Sequence, residues 1–192
     1  MSVDKNLMSL LTSTAPRTAQ DREVSALIAI QRMTSSPAIR QGAVLLSHLG
    51  EHALVWTALG LAGSVRDPAQ RHPWLGATAT VVGAHAVSVV VKRVVRRRRP
   101  TDPRIQVWVA TPSDWSFPSS HAASTTAAAV AYSRLLGRPY LLLSVPVMMA
   151  SRVILGVHYP SDVLAGSLLG AIMGRWVAPA ATSALSAHAG RP

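Results

Sequence analysis

Three short polar clusters interrupt long apolar stretches of this chain, and their side chains are of the kinds that handle phosphate. The first is Lys92-Arg93-Val94-Val95-Arg96-Arg97-Arg98-Arg99-Pro100 and the second is Pro118-Ser119-Ser120-His121. The third is Ser151-Arg152 followed by His158-Tyr159-Pro160-Ser161-Asp162. If the clusters meet, Lys92, Arg99 and Arg152 supply three cations. The guanidinium fork fits phosphate oxygens bidentately. In a partly buried setting each such charge contact is worth about 4 kcal/mol before desolvation. Ser119 and the main-chain N–H groups of the helix start around Ser120 add neutral donors, and helix N-termini favour anions. The set is suited to a phosphate dianion.

Two histidines complete it. Phosphoryl transfer depends chiefly on in-line placement and charge stabilisation. One imidazole can attack phosphorus while the other protonates the departing oxygen. His158 and Asp162 are four residues apart, and Pro160 predicts that a helix starts between them. Asp162 is then placed to accept the imidazole N–H and fix its tautomer. This makes His158 the nucleophile and leaves His121 as the general acid.

The elements that carry these clusters are apolar helices. The chain has 192 residues, of which 49% are hydrophobic and only 14% charged, below the roughly 25% charge of soluble domains. Five apolar segments are expected, at His48–Val65, Trp74–Val91, His121–Leu136, Tyr140–Val157 and Asp162–Val177. At roughly 16–18 residues each, they sit at the short end of what a bilayer requires. Backbone groups in lipid must satisfy one another, so the segments should be helical. Their Ala, Gly and Ser content allows close helix packing. Alternating topology then places all three polar clusters on one side of the membrane.

The expected fold is an all-α, polytopic membrane helix bundle of about five spans plus an N-terminal interfacial helix. Residues 1–20 read as a flexible Ser/Thr-rich tail without a cleavable signal peptide. Residues 21–47 read as an amphipathic segment lying on the membrane, 48–178 as the core and 179–192 as a tail. Gly137-Arg138-Pro139 predicts a tight turn. The longest polar stretch, Lys92 to Ser120, carries Trp108 and Trp115, which fit an interfacial loop as well as a ligand-contacting one.

The net charge is +11 with 19 basic residues. Such an excess fits either a nucleic-acid binder or a membrane protein with basic cytoplasmic loops; the long apolar segments favour the second and no nucleic-acid partner is expected. The chain has no cysteine, which excludes disulfides, thiolate zinc sites and cysteine nucleophiles.

Taken together, the spacing resembles the tripartite signature of the type 2 phosphatidic acid phosphatase family. Lys92 is followed after six residues by Arg99-Pro100; then come Pro118-Ser119-Ser120-His121, and Ser151-Arg152, His158 and Asp162. The likeness runs from about Glu51 to Val177. It implies an all-helical membrane core and a phosphohistidine mechanism that needs no metal or other cofactor. It implies phosphate binding by Lys92, Arg99, Ser119, Ser120 and Arg152, acid catalysis by His121, attack by His158 and orientation by Asp162. One position departs: the family's second motif usually has glycine where this chain has Ser120. Ser120 can supply the same N–H only where no positive φ is required.

Plainer readings compete for the neighbouring residues. Arg96, Arg97 and Arg98 read as topology anchors, and a Lys92 taken alone would be a snorkelling residue. His48, Glu51 and His52 read as a polar cluster at the interface rather than a metal site. His85 shares a helix face with Lys92, with packing the simpler role. Trp56, Trp74 and Trp176 read as packing or interfacial residues. Most of the basic residues fall on the motif side even when the three site cations are removed, which predicts a cytoplasmic active site in the inner membrane. The expected partners are membrane lipids and a lipid-linked phosphate substrate, most simply a polyprenyl-linked phosphate monoester. Polyprenyl diphosphate and phosphatidylglycerophosphate are alternative substrates, and a non-catalytic membrane scaffold is the alternative of another class.

Overall fold

The computed structural model of the chain describes residues 18–50, 53–180 and 182–183, and these are mostly helical, with a long non-helical segment over 96–119 and one isolated β-bridge between Arg98 and Trp115. Helix α1 (Ala19–Met33) starts at a capping box: the Thr18 hydroxyl accepts the Asp21 N–H and the Asp21 carboxylate accepts the Thr18 N–H. Pro37 opens α2 (Pro37–Leu49), where its fixed φ suits the first helical position. A break follows, with Ala53 in the left-handed region at φ 59°, and α3 (Leu54–Arg66) leaves at 55° to α2. The first apolar segment therefore begins earlier than His48 and is a bent pair. Of the expected His48, Glu51 and His52 cluster, Glu51 and His52 lie outside the described residues.

A 3-10 turn (Pro68–Gln70) leads into α4 (Arg71–Val95), longer than the sequence pattern indicates. Helix α5 (Ser120–Leu136) matches its expected segment and stops at Gly137, whose φ of 63° makes the turn. The fourth segment differs more. It begins as a 3-10 turn (Pro139–Leu143), and only Ser144–Ile154 forms an α-helix, α6. Helix α7 (Pro160–Ile172) continues through a π-helical turn at Met173–Val177.

Pro68–Val95 spans 28 residues with mean hydropathy 1.6, and Pro160–Ala180 spans 21 with mean hydropathy 1.4. Both are long and apolar enough to cross a bilayer, and the bent pair α2–α3 qualifies as a third crossing if it counts as one. Helix α5 is short but central. Ala122, Ala123, Ala127, Ala128 and Ala131 are all buried between α4 and α7. Small side chains let backbones approach closely where no water drives association. Across from them, Gly166, Gly170 and Gly174 form one stripe of α7. A Cβ there would lie 2.4 Å from the Ser119 carbonyl oxygen, 2.2 Å from that of Ala123 and 2.9 Å from that of Ala127. This contact sets the start of α5, with Ser119 to His121, beside the start of α7, with His158 to Asp162.

Candidate active site

The three polar clusters converge. A cavity of about 730 Å³ is lined by Lys92 from the end of α4, Arg99 from the following loop, Ser120 and His121 from α5, Arg152 from α6, and His158 from the α6–α7 loop. Its walls also include apolar side chains, among them Val44, Val89 and Val109. The buried members are Ser47, Lys92, Ser120, Arg152 and His158, so charged groups are held here out of bulk water.

Each side chain is placed by specific partners. Arg99 donates from Nη1 to the Val157 carbonyl at 2.7 Å and from Nε to the Ser113 carbonyl at 2.9 Å. The same Nη1 lies 3.4 Å from His158 Nε2. On the other side of the ring, His158 Nδ1 lies 3.6 Å from Asp162 Oδ2. That is beyond a hydrogen bond and closes with a shift of about 0.5 Å. The ring therefore turns Nδ1 toward the carboxylate and Nε2 toward the Arg99 cation. Nε2 is the nitrogen available to an electrophile. His121 has its Nε2 3.1 Å from the Ser47 carbonyl on α2, and Arg152 donates to the Ser47 hydroxyl. Ser47 thus braces both the acid candidate and a site cation, a role not visible in the sequence pattern.

Two residues expected to touch phosphate are held by main-chain partners in this structure. Ser119 is fully buried and does not line the cavity. Its N–H donates to the Asp162 carbonyl at 2.9 Å, and its hydroxyl accepts the Ala122 N–H to cap α5. It joins the two helix starts. Lys92 does line the cavity, but its ammonium donates to the carbonyls of Pro118 at 2.6 Å and Ser116 at 3.1 Å, with Trp115 at 3.4 Å. In this state Lys92 pins the loop that delivers Ser120 and His121. By contrast, the Ser120 departure meets no backbone strain. Ser120 is the first residue of α5 and does not have positive φ. The main-chain N–H groups of Ser120 and His121 have no partner among the described residues, as expected of a helix start open to an anion.

The electrostatics favour a neutral nucleophile. Burial first, then the cations of Arg152, Arg99 and Lys92, hold His158 well below the ordinary imidazole range. Burial also lowers Arg99, to about 10, which leaves it charged at neutral pH. Among the described residues no three His, Asp or Glu side chains converge as a metal site would require.

A protein-family model, the PAP2 superfamily, matches residues 73–184. The chain belongs to this superfamily. PAP2 relatives include decaprenylphosphoryl-5-phosphoribose phosphatase of Mycolicibacterium smegmatis, 50% identical over 155 residues, covering 80% of this chain and 84% of that protein. The protein of the same name from Mycobacterium tuberculosis is 48% identical over 153 residues, covering 79% and 86%. Among solved PAP2-type folds, Aquifex aeolicus LpxE aligns with TM-score 0.65 at 22% identity, over 79% of this chain and 91% of that one. The phosphatidylglycerolphosphate phosphatase of Bacillus subtilis aligns with TM-score 0.64 at 23% identity, over 96% and 95%. The resemblance seen in the motifs is thus established, and the chain is a PAP2 membrane lipid phosphatase.

The PAP2 motif spacing does not reveal a support network behind His158. Arg97, expected to be a topology anchor, donates from Nη1 to Asp162 Oδ1 at 2.7 Å and to the Ser161 hydroxyl at 2.6 Å. Its Nη2 pairs with Glu23 of α1, and its guanidinium stacks 4.1 Å from the Tyr159 ring. Glu23 also accepts the Ser161 N–H at 2.9 Å. Asp162 in turn accepts the Tyr159 N–H at 2.8 Å. Helix α1, read as an interfacial element, therefore reaches the loop that carries His158. One signal was available: with 8 acidic against 19 basic residues, an acid in α1 is a scarce partner for a half-buried arginine. His85, Trp108 and Trp115 also line the cavity.

Proposed function

We propose that this enzyme hydrolyses the phosphate monoester of decaprenylphosphoryl-5-phosphoribose by way of a phosphohistidine. The observation that carries the substrate reading is the 50% identity, sustained over 80% of the chain, to a phosphatase named for that lipid. The partners are the lipid-linked phosphate and the surrounding membrane lipids. Lys92, Arg99, Arg152 and the Ser120 N–H hold the phosphate. His158 Nε2 attacks phosphorus, forming a P–N bond as the P–O bond to the sugar breaks. His121 gives its proton to the leaving sugar oxygen. Water then attacks the phosphohistidine, His121 takes a proton from it, and inorganic phosphate leaves with His158 restored. Ser119 and Asp162 act through others: Ser119 ties the two helix starts, and Asp162 positions His158.

A substrate panel tests the reading: purified protein is offered decaprenylphosphoryl-5-phosphoribose, a polyprenyl diphosphate and phosphatidylglycerophosphate. The first should be turned over with the highest kcat/KM. A preference for either rival would replace it, and no phosphate release from any would favour a scaffold. The same proposal puts the site on the cytoplasmic face of the inner membrane, supported by the excess of basic residues on the motif side. In this cysteine-free chain, Asp102→Cys should be protected from an impermeant thiol reagent in intact cells. Ready labelling would reverse the orientation.

A further inference from the structure

The arginines between Lys92 and Pro100 are nearly all engaged. Arg96 donates to the Arg93 carbonyl, Arg97 pairs with Glu23 and Asp162, Arg98 lies over Trp115, and Arg99 holds the His158 loop. Arg93 differs. Among the described residues its guanidinium has no hydrogen bond, ion pair or ring contact, it is exposed, and it lines the reaction cavity. Lys92 and Arg93 are consecutive on α4, so their side chains leave the helix about 100° apart. Lys92 is buried in the phosphate seat, while Arg93 stands at the cavity's solvent-facing edge.

The substrate named for the relatives carries two phosphates on one ribose: the monoester to be removed and the diester that joins sugar to lipid. With the monoester seated among Lys92, Arg99 and Arg152, the diester is one sugar width away, in the cavity that Arg93 also lines. We infer that Arg93 binds this second phosphate and selects for phosphosugar lipids over lipids with a single phosphate. A guanidinium offers five donors in a planar fork, and a diester anion presents two free oxygens to meet it. The inference rests on the substrate reading above.

The test is a ratio. kcat/KM is measured for decaprenylphosphoryl-5-phosphoribose and for decaprenyl monophosphate, which has the tail and a monoester but no diester. Arg93→Ala should lower the ratio of the two values about tenfold, the size of one charge-assisted contact, and Arg93→Lys should restore much of it. Arg99→Ala should depress both substrates and leave the ratio within about twofold, since the monoester seat is common to both. An unchanged ratio in Arg93→Ala would mean that Arg93 only contacts bulk lipid headgroups, and the inference would be wrong. Wild-type enzyme that turns over the monophosphate but not the phosphoribose lipid would remove the substrate reading first, and the inference with it.

Discussion

Replacing Arg97 by Gln separates an anchor from a working part of the site. The substitution removes a contact of 2.7 Å to the fully buried Asp162 carboxylate and one of 2.6 Å to the Ser161 hydroxyl, and breaks the pair with Glu23. Hydrogen bonds to charged groups contribute about 1.5–3 kcal/mol each. Arg97 is 23% exposed, so solvent takes part of that, and a net loss of about 2 kcal/mol is reasonable for the cluster. The Asp162 carboxylate then loses its cationic partner and is drawn toward His158. That shift disturbs the imidazole that must attack in line. We expect kcat to fall about tenfold or more, equivalent to at least ~1.4 kcal/mol, with KM changed far less. Arg96→Gln is the comparison, because Arg96 carries the same charge one residue away and touches only its own turn. Steady-state assays of both purified variants in one detergent decide the matter. If the two behave alike, the run of arginines acts only on topology and the Glu23–Arg97–Asp162 link has no part in catalysis.

Other outcomes follow from the same geometry. His121→Gln should slow hydrolysis of the lipid substrate by about 10²–10⁴-fold, the usual range for a lost general acid, and much less for an aryl phosphate whose leaving group needs no proton; equal losses on both would remove His121 from the acid role. The acid limb of the pH profile should lie well below 6.5, because burial and the neighbouring cations hold His158 neutral; neutral imidazole is the attacking form, so activity is lost only as pH drops through that lowered value. Arg99→Gln removes one of those cations, so its acid limb should move to higher pH, and an unmoved limb would separate the limb from His158. Gly170→Val should lower thermal stability by several kcal/mol, because even the Cβ would lie 2.2 Å from the Ala123 carbonyl oxygen; a wild-type melting midpoint would show that α5 and α7 need not pack this closely.

Much of this site is legible in the sequence because its chemistry demands rare residue types at apolar helix ends. Lys92, Arg99, His121, Arg152 and His158 all reach one cavity as the spacing predicts. The bend after Leu49 and the short α6 are not legible, since hydropathy records apolar content and not where a helix breaks. Ser119 and Lys92 show a second gap. Spacing identifies which residues belong to the site, but not whether a polar atom faces the ligand or a main-chain partner beneath it. The Glu23–Arg97 pair joins residues 74 apart, and no local pattern links an acid in α1 to one arginine within a run of them.

The most direct test is to quench the enzyme during turnover and locate the phosphate by mass spectrometry under alkaline handling, which preserves phosphohistidine. Phosphate should be found on His158, accumulating in His121→Gln if that variant slows breakdown more than formation, and absent from His158→Ala, which should not turn over. Phosphate on another residue, or a His158→Ala enzyme that still releases phosphate at the wild-type rate, would contradict the account.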